Sequence, residues 1–182
     1  MSKRAVIVVD LQNEYLPTGK LPLVGLDKAL NNAARVIEAA RSRGDMLIHV
    51  RHESPGTDVP FFTPGTDAVE IIPAVAPAGA EPVIVKTHPN SFRDTALHES
   101  LRGAGVEEVV VIGAMSHMCI AATSRAATDL GYRTIVIHDA CATMDLEFDG
   151  QTVPAAQVHA ANMAAIAFAH GEVVTTEGLL AR

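Results

Sequence analysis

Val109-Val110-Val111-Ile112 runs straight into Gly113-Ala114-Met115-Ser116-His117-Met118-Cys119, and a helical pattern then continues to Leu130. Four β-branched residues in a row, with no polar alternation, read as a strand buried on both faces, the habit of parallel sheets. A strand that passes through a short glycine-containing turn into a helix is half of a strand-helix-strand unit. The rest of the chain can be tested for the same rhythm.

Outward from that segment the rhythm repeats. Ala5-Val6-Ile7-Val8-Val9, Met46-Leu47-Ile48-His49-Val50, Pro82-Val83-Ile84-Val85 and Thr134-Ile135-Val136-Ile137 are further strands, with a weaker Val173-Val174. Leu26, Leu30, Ala33, Ile37 and Ala40 recur at spacings of three and four, and Gly44 after Arg41 and Arg43 is a helix stop. Asp94 to Arg102, Cys119 to Leu130 and Pro154 to Ala169 read as further helices. Alternation of this kind predicts one α/β domain over residues 1–182, a parallel sheet covered on both sides by right-handed crossovers. Two connections break the pattern: Leu11 to Gly25, and Glu53 to Pro82 with five further prolines before Pro82. Loops of that length in a small domain are usually functional. Of seven aromatics, five (Tyr15, Phe61, Phe62, Phe92 and Phe148) fall in connections, where they are expected to line a pocket or an interface.

Composition narrows the function. A chain of 182 residues is one domain with enough length for a full core. Hydrophobic residues make up 48% and charged residues 19%, which argues against disorder and for extra subunit-facing surface. The net charge of −7 and the lack of any basic run disfavour nucleic acid and anionic membranes as partners. A small-molecule substrate and other copies of the chain remain, so a homo-oligomer is expected. After Met1-Ser2-Lys3-Arg4 the apolar run ends at Asp10, too short for a signal core, and no run approaches the ~18 residues of a membrane span. Cys119 and Cys141 are too few for a secreted disulfide scaffold, so a cytoplasmic location with reduced thiols is expected.

Ligands of open parallel sheets bind beyond the carboxyl ends of the strands, where the strand order reverses. Asp10 ends the first strand, Lys86 follows the third and Cys119 follows the fourth, so one rim receives a carboxylate, an ammonium and a thiol. A thiol attacks as thiolate, and a helix N-terminus and a nearby cation both lower its pKa. Asp10 is placed to take the thiol proton and return one to a leaving group. The turn amides of Met115 and Cys119 are candidates for holding an oxyanion.

These segments resemble the isochorismatase-like cysteine hydrolases, which include nicotinamidases and N-carbamoylsarcosine amidases. The resemblance is carried by Ala5 to Tyr15, by Lys86 with Ser91-Phe92, by Val111 to Cys119 and by Asp139-Ala140-Cys141-Ala142, and it spans nearly the whole chain. It implies a three-layer α/β/α fold with a six-stranded sheet of Rossmann-like order 3-2-1-4-5-6. It also implies an Asp10-Lys86-Cys119 triad and a cis peptide at Ala114-Met115 that aims the Met115 amide. In that order Lys86 starts two strand spacings, about 10 Å, from the first strand and has to reach inward. Family members that cleave a vinyl ether lack the cysteine, so Cys119 points away from that reaction. Nicotinamidases carry an Asp-x-His pair and a later His around a metal. The corresponding stretch here is His49-Val50-Arg51-His52, with no further His until His88, so neither metal nor cofactor is expected.

The expected activity is hydrolysis of a carbon-nitrogen bond, of amide type, in a small molecule through an acyl-cysteine. Tyr15, Phe61, Phe62, Phe92 and His117 are expected to shape the pocket, with Gln12 or Asn13 as polar contacts. His117 is read equally as a substrate contact and as a turn cap. Cys141 is read as a buried apolar residue, and His138, His159 and His170 carry no role. Two alternatives stay open: a thiol redox sensor on the same scaffold, and a hydrolase of another acyl or ether bond.

Overall fold

The computed structural model describes residues 3–56 and 58–182; Met1 and Ser2 of the amino-terminal reading, and Thr57, lie outside the described residues. In chain order the elements are β1 (Arg4–Val9), α1 (Leu26–Arg43), β2 (Met46–His52), β3 (Val83–Lys86), α2 (Leu97–Gly103), β4 (Glu108–Ala114), a π turn (Ser116–Ile120), α3 (Ala121–Asp129), β5 (Arg133–Ala142), β6 (Leu146–Phe148), β7 (Gln151–Val153), α4 (Ala155–Ala169), β8 (Glu172–Val174) and α5 (Thr176–Leu180). Six strands form one parallel sheet in the order β3-β2-β1-β4-β5-β8, so Val173-Val174 supplies the sixth strand.

Side chains on alternate sides of the central strands feed two cores. Val6, Val8, Val110 and Ile112 meet α1 and α5, while Ala5, Ile7, Val9, Val109 and Val111 meet α2, α3 and α4. Each fully buried Val or Ile contributes about 1.5–3 kcal/mol, and the one charged residue buried in these two strands, Glu108 at the start of β4, is paired with Arg4 of β1. α1 stops where expected, because Gly44 adopts a left-handed conformation and its N–H caps Ala40 and Arg41.

Four readings are corrected. Lying at the sheet edge, β3 leaves Val83 and Val85 more than 40% exposed, so that run is not buried on both faces. The Asp94 to Arg102 helix shrinks to α2 at Leu97–Gly103. Cys119 does not open an α-helix but sits within the π turn before α3. Phe148 belongs to a β6-β7 hairpin closed by Asp149-Gly150, both with positive φ, and is 78% exposed. An Asp-Gly pair is the usual two-residue hairpin turn.

The two long connections fold onto each other. Gln12 bridges to Ile71, the Asn13 N–H donates to Glu70 O, and the Ile72 N–H donates to Leu11 O. Glu14, fully buried, accepts the Phe62 N–H at 2.7 Å and the Lys20 N–H at 2.8 Å. One carboxylate thus ties loop 53–82 to loop 11–25 beside the carboxyl ends of β1 and β2.

Candidate active site

The rim is shaped by close backbone approach at the β1-β4 crossing. Val9 pairs with Gly113, which has φ +129° and where a Cβ would lie 1.9 Å from Val9 O. Only glycine fits there, and the next residues turn away from the sheet toward Cys119. The Ala114–Met115 peptide is cis. Asp10 leaves β1 at φ +52°, a conformation that Asp tolerates better than most side chains. Its N–H is held by Val50 O at 2.9 Å.

Lys86 spans the two strand spacings. Its Nζ lies 2.7 Å from Asp10 Oδ2 and 3.3 Å from Cys119 Sγ, with both charged side chains fully buried. The same nitrogen lies 3.2 Å from His52 Nδ1. Cys119 keeps 7% of its surface exposed and is the most accessible of the three. Asp10, Lys86 and Cys119, from three distant stretches of chain, thus meet around one nitrogen.

The electrostatics depart from expectation at the thiol. Burial pushes Cys119 well up, and the Asp10 carboxylate adds to this more than Lys86 relieves it. Burial likewise raises Asp10, opposed by Lys86. Desolvation pulls Lys86 down, but Asp10 and Cys119 outweigh it and hold the ammonium above its ordinary value. The resting state that follows is carboxylate, ammonium and neutral thiol, not a free thiolate. Burial and Lys86 lower His52 to about 4, so the imidazole is neutral near pH 7.

The surrounding residues separate into three groups. Tyr15 and Phe62 are buried and meet edge to face at 5.3 Å, and Phe62 meets His52 in the same way at 5.2 Å. The Tyr15 phenol is pushed well up, first by burial and then by the charges of Asp10 and Cys119. Phe61 packs on Phe62 at 6.2 Å but is 39% exposed. Gln12 is taken up elsewhere: its Nε2 donates to His52 O and Val69 O, and its Oε1 accepts the His52 N–H, all at 2.8 Å. It braces the two loops, with both of its amide N–H donors taken by backbone carbonyls. The Asn13 amide likewise donates to Asp67. Phe92 stacks on Tyr132 at 6.2 Å and meets His98 at its edge, an aromatic cluster outside the triad.

The nucleophile turn is held by groups at the end of β5 and beyond it. His117 Nδ1 lies 2.7 Å from Thr143 Oγ1, and burial lowers its pKa. Ser116 Oγ donates to Ala142 O and lies 2.8 Å from His159 Nδ1, so His159 touches the turn although the sequence assigned it nothing. Among the described residues the Met115 N–H has no protein acceptor. Cys141 is buried, its thiol raised to about 12 by desolvation, and unlike Cys119 it has no lysine at its sulfur among the described residues. His49 pairs with Glu81 and His88 with Asp94, so with His52 on Lys86 each imidazole has a separate partner. No group of three or more metal-ligating side chains occurs among the described residues, and no helix among them is long and apolar enough to cross a membrane.

Glu14 and His52 were missed by sequence reasoning. His52 could have been found: it pairs with Lys86 in the β2-β3 register, so the two side chains leave the sheet side by side. Glu14 gave no signal, because its partners are backbone amides, one six residues on in its own loop and one in loop 53–82.

Comparison with known proteins agrees with this fold. The Isochorismatase domain model matches residues 4–177. The isochorismatase family protein YddQ of Bacillus subtilis is 46% identical over 176 residues, 97% of this chain and 98% of that protein. A maleamate amidohydrolase of Pseudomonas putida is 30% identical over 189 residues, 96% of this chain and 84% of that protein. A crystal structure of an isochorismatase hydrolase from Oleispira antarctica superposes with a TM-score of 0.95 at 46% identity, covering 100% of this chain and 97% of that one.

Proposed function

Since this chain belongs to the isochorismatase family of hydrolases, which has amidohydrolases among its members, we propose that it hydrolyses a carbon-nitrogen bond of amide type in a small molecule through an acyl-cysteine. The observation that carries the reading is the Lys86 ammonium set 2.7 Å from the Asp10 carboxylate and 3.3 Å from the Cys119 sulfur. Buried charges without a purpose are costly, and clustered perturbed groups mark reactive sites.

Each group has a task. Sγ of Cys119 attacks the carbonyl carbon as its proton passes to Asp10, whose raised pKa makes it a better base than an exposed carboxylate. The carbonyl oxygen takes the displaced electron pair and is held by the N–H groups of Met115 and Cys119. The intermediate collapses as Asp10 gives its proton to the leaving nitrogen. Water, deprotonated by Asp10, then attacks the thioester, and the sulfur recovers a proton. Lys86 keeps its charge throughout and offsets the negative charge that moves between carboxylate, sulfur and back. Tyr15, Phe62 and His52 pack edge to face, and through His52 on Lys86 they are assigned as a wall of the substrate pocket.

The redox reading is the weaker one. A peroxide-reactive thiol requires a depressed pKa. Cys119 is pushed the other way. Self-association is proposed as well: α4 has no charged side chain over 15 residues, and its Phe168 is 91% exposed. Sedimentation at micromolar concentration is expected to give more than a monomer, and a lone monomer there refutes it.

The test of the hydrolase reading is ammonia release from a panel of small amides, ureas and hydroxamates. Wild type is expected to turn over at least one, and Cys119→Ala to fold with an unchanged melting temperature but no turnover. Iodoacetamide is expected to modify Cys119 before Cys141. An active alanine variant, or equal modification of the two thiols, removes the covalent mechanism.

A further inference from the structure

The Lys86 side chain ends in three N–H bonds and accepts none, so a buried ammonium needs three acceptors. Two of its neighbours are the groups it serves, Asp10 Oδ2 and Cys119 Sγ. The third is His52 Nδ1 at 3.2 Å. Since Lys86 can only donate, Nδ1 accepts and the imidazole proton sits on Nε2. His52 is itself fixed more firmly than a loop residue: it ends β2 in register with Lys86, both its backbone N–H and C=O bond to the Gln12 amide, and its ring rests edge-on against Phe62. A lysine stem is long and rich in rotamers, and nothing in its own chemistry selects the one that points at both partners.

We propose that His52 is a positioning residue, a fixed neutral acceptor that takes the third Lys86 proton and thereby aims the ammonium at Asp10 and Cys119. The inference rests on the hydrolase reading of the same triad, and it adds a fourth member whose chemistry is acceptance and not catalysis. Gln12 follows as the support of that member, since its amide holds the His52 backbone from both sides.

The test follows Cys119 and not turnover, so it needs no known substrate. The rate of iodoacetamide modification, mapped to the Cys119 peptide, is measured against pH for wild type, His52→Ala, His52→Asn, His52→Gln and Lys86→Met. Asn places its Oδ1 where His places Nδ1, whereas Gln carries its acceptor one methylene further out. A well-aimed ammonium favours the thiolate, so Ala and Gln are expected to move the midpoint up by about one pH unit, tenfold less thiolate at a given pH. Asn is expected to stay within about threefold of wild type, and Lys86→Met to move the midpoint at least as far as Ala. Rescue by Asn but not by Gln supports positioning, which a merely structural role does not produce. If the Gln profile overlays wild type while Lys86→Met shifts, the His52 proposal falls and the triad stands. If Lys86→Met shifts nothing, the triad reading falls and the His52 proposal with it.

Discussion

Asp10→Asn offers a test in which two readouts move in opposite directions. The substitution keeps the shape of the side chain and removes one negative charge from the triad. Because Lys86 Nζ touches both Asp10 Oδ2 at 2.7 Å and Cys119 Sγ at 3.3 Å, the carboxylate oxygen and sulfur are no more than about 6 Å apart. At that separation, and with an effective dielectric constant near 20, two negative charges repel by about 3 kcal/mol, on the order of a hundredfold in the thiolate population. The Asp10 charge contributes to holding the thiol up, while Lys86 pulls it down. Removing the carboxylate therefore leaves the thiol facing an ammonium alone, and its pKa falls. Iodoacetamide modification of Cys119 at pH 7 is expected to rise by tens of times to a hundredfold. Ammonia release from any accepted amide is expected to fall by 10²–10⁴, since the proton shuttle is gone. The melting temperature is expected to drop as well, because a buried ammonium loses its anion. Circular dichroism shows that the variant is folded before the rates are compared. Modification that slows or stays the same in a folded variant would refute the claim that Asp10 faces the sulfur as an anion.

Glu14→Gln cuts the carboxylate that accepts two backbone N–H groups from different loops, with an expected loss of about 1–3 kcal/mol in urea unfolding and a raised KM, because the loop bearing Phe62 comes loose; an unchanged KM argues against this loop shaping the pocket. Gly113→Ala is expected to give insoluble or unfolded protein, since the new Cβ would sit 1.9 Å from Val9 O at a φ that favours glycine; a soluble variant with wild-type melting would contradict the described β1-β4 crossing. His52 is held down to about 4 by burial, against an ordinary value near 6.5, so the unfolded chain binds its proton first as pH falls. The contribution of the neutral imidazole is present above pH 6.5 and is lost between 6.5 and about 4. Melting temperature should therefore fall across that window, less so in His52→Asn, and equal slopes would show that His52 takes up its proton equally in both states.

Sequence by itself determined the architecture and singled out Asp10, Lys86 and Cys119, the three residues proposed to react. The apolar runs of β1, β2, β4 and β5 and the α1 periodicity are local patterns, and burial on two faces leaves those four strands no other reading. Asp10, Lys86 and Cys119 follow from the rule that such sheets present their strand ends to ligands, together with motif resemblance. Sequence also assigned Gln12 and Phe92 to the pocket, and the structure commits the Gln12 amide to backbone partners and stacks Phe92 on Tyr132: residue type names what a side chain can do, and its neighbours decide what it has left to do it with. Only the tertiary structure could show Gln12 committed to backbone, Glu14 joining two loops, and His52 completing the Lys86 shell. Only it could reverse the expected pKa of Cys119. Desolvation and the balance between one carboxylate and one ammonium depend on distances across the fold, and no spacing along the chain encodes them.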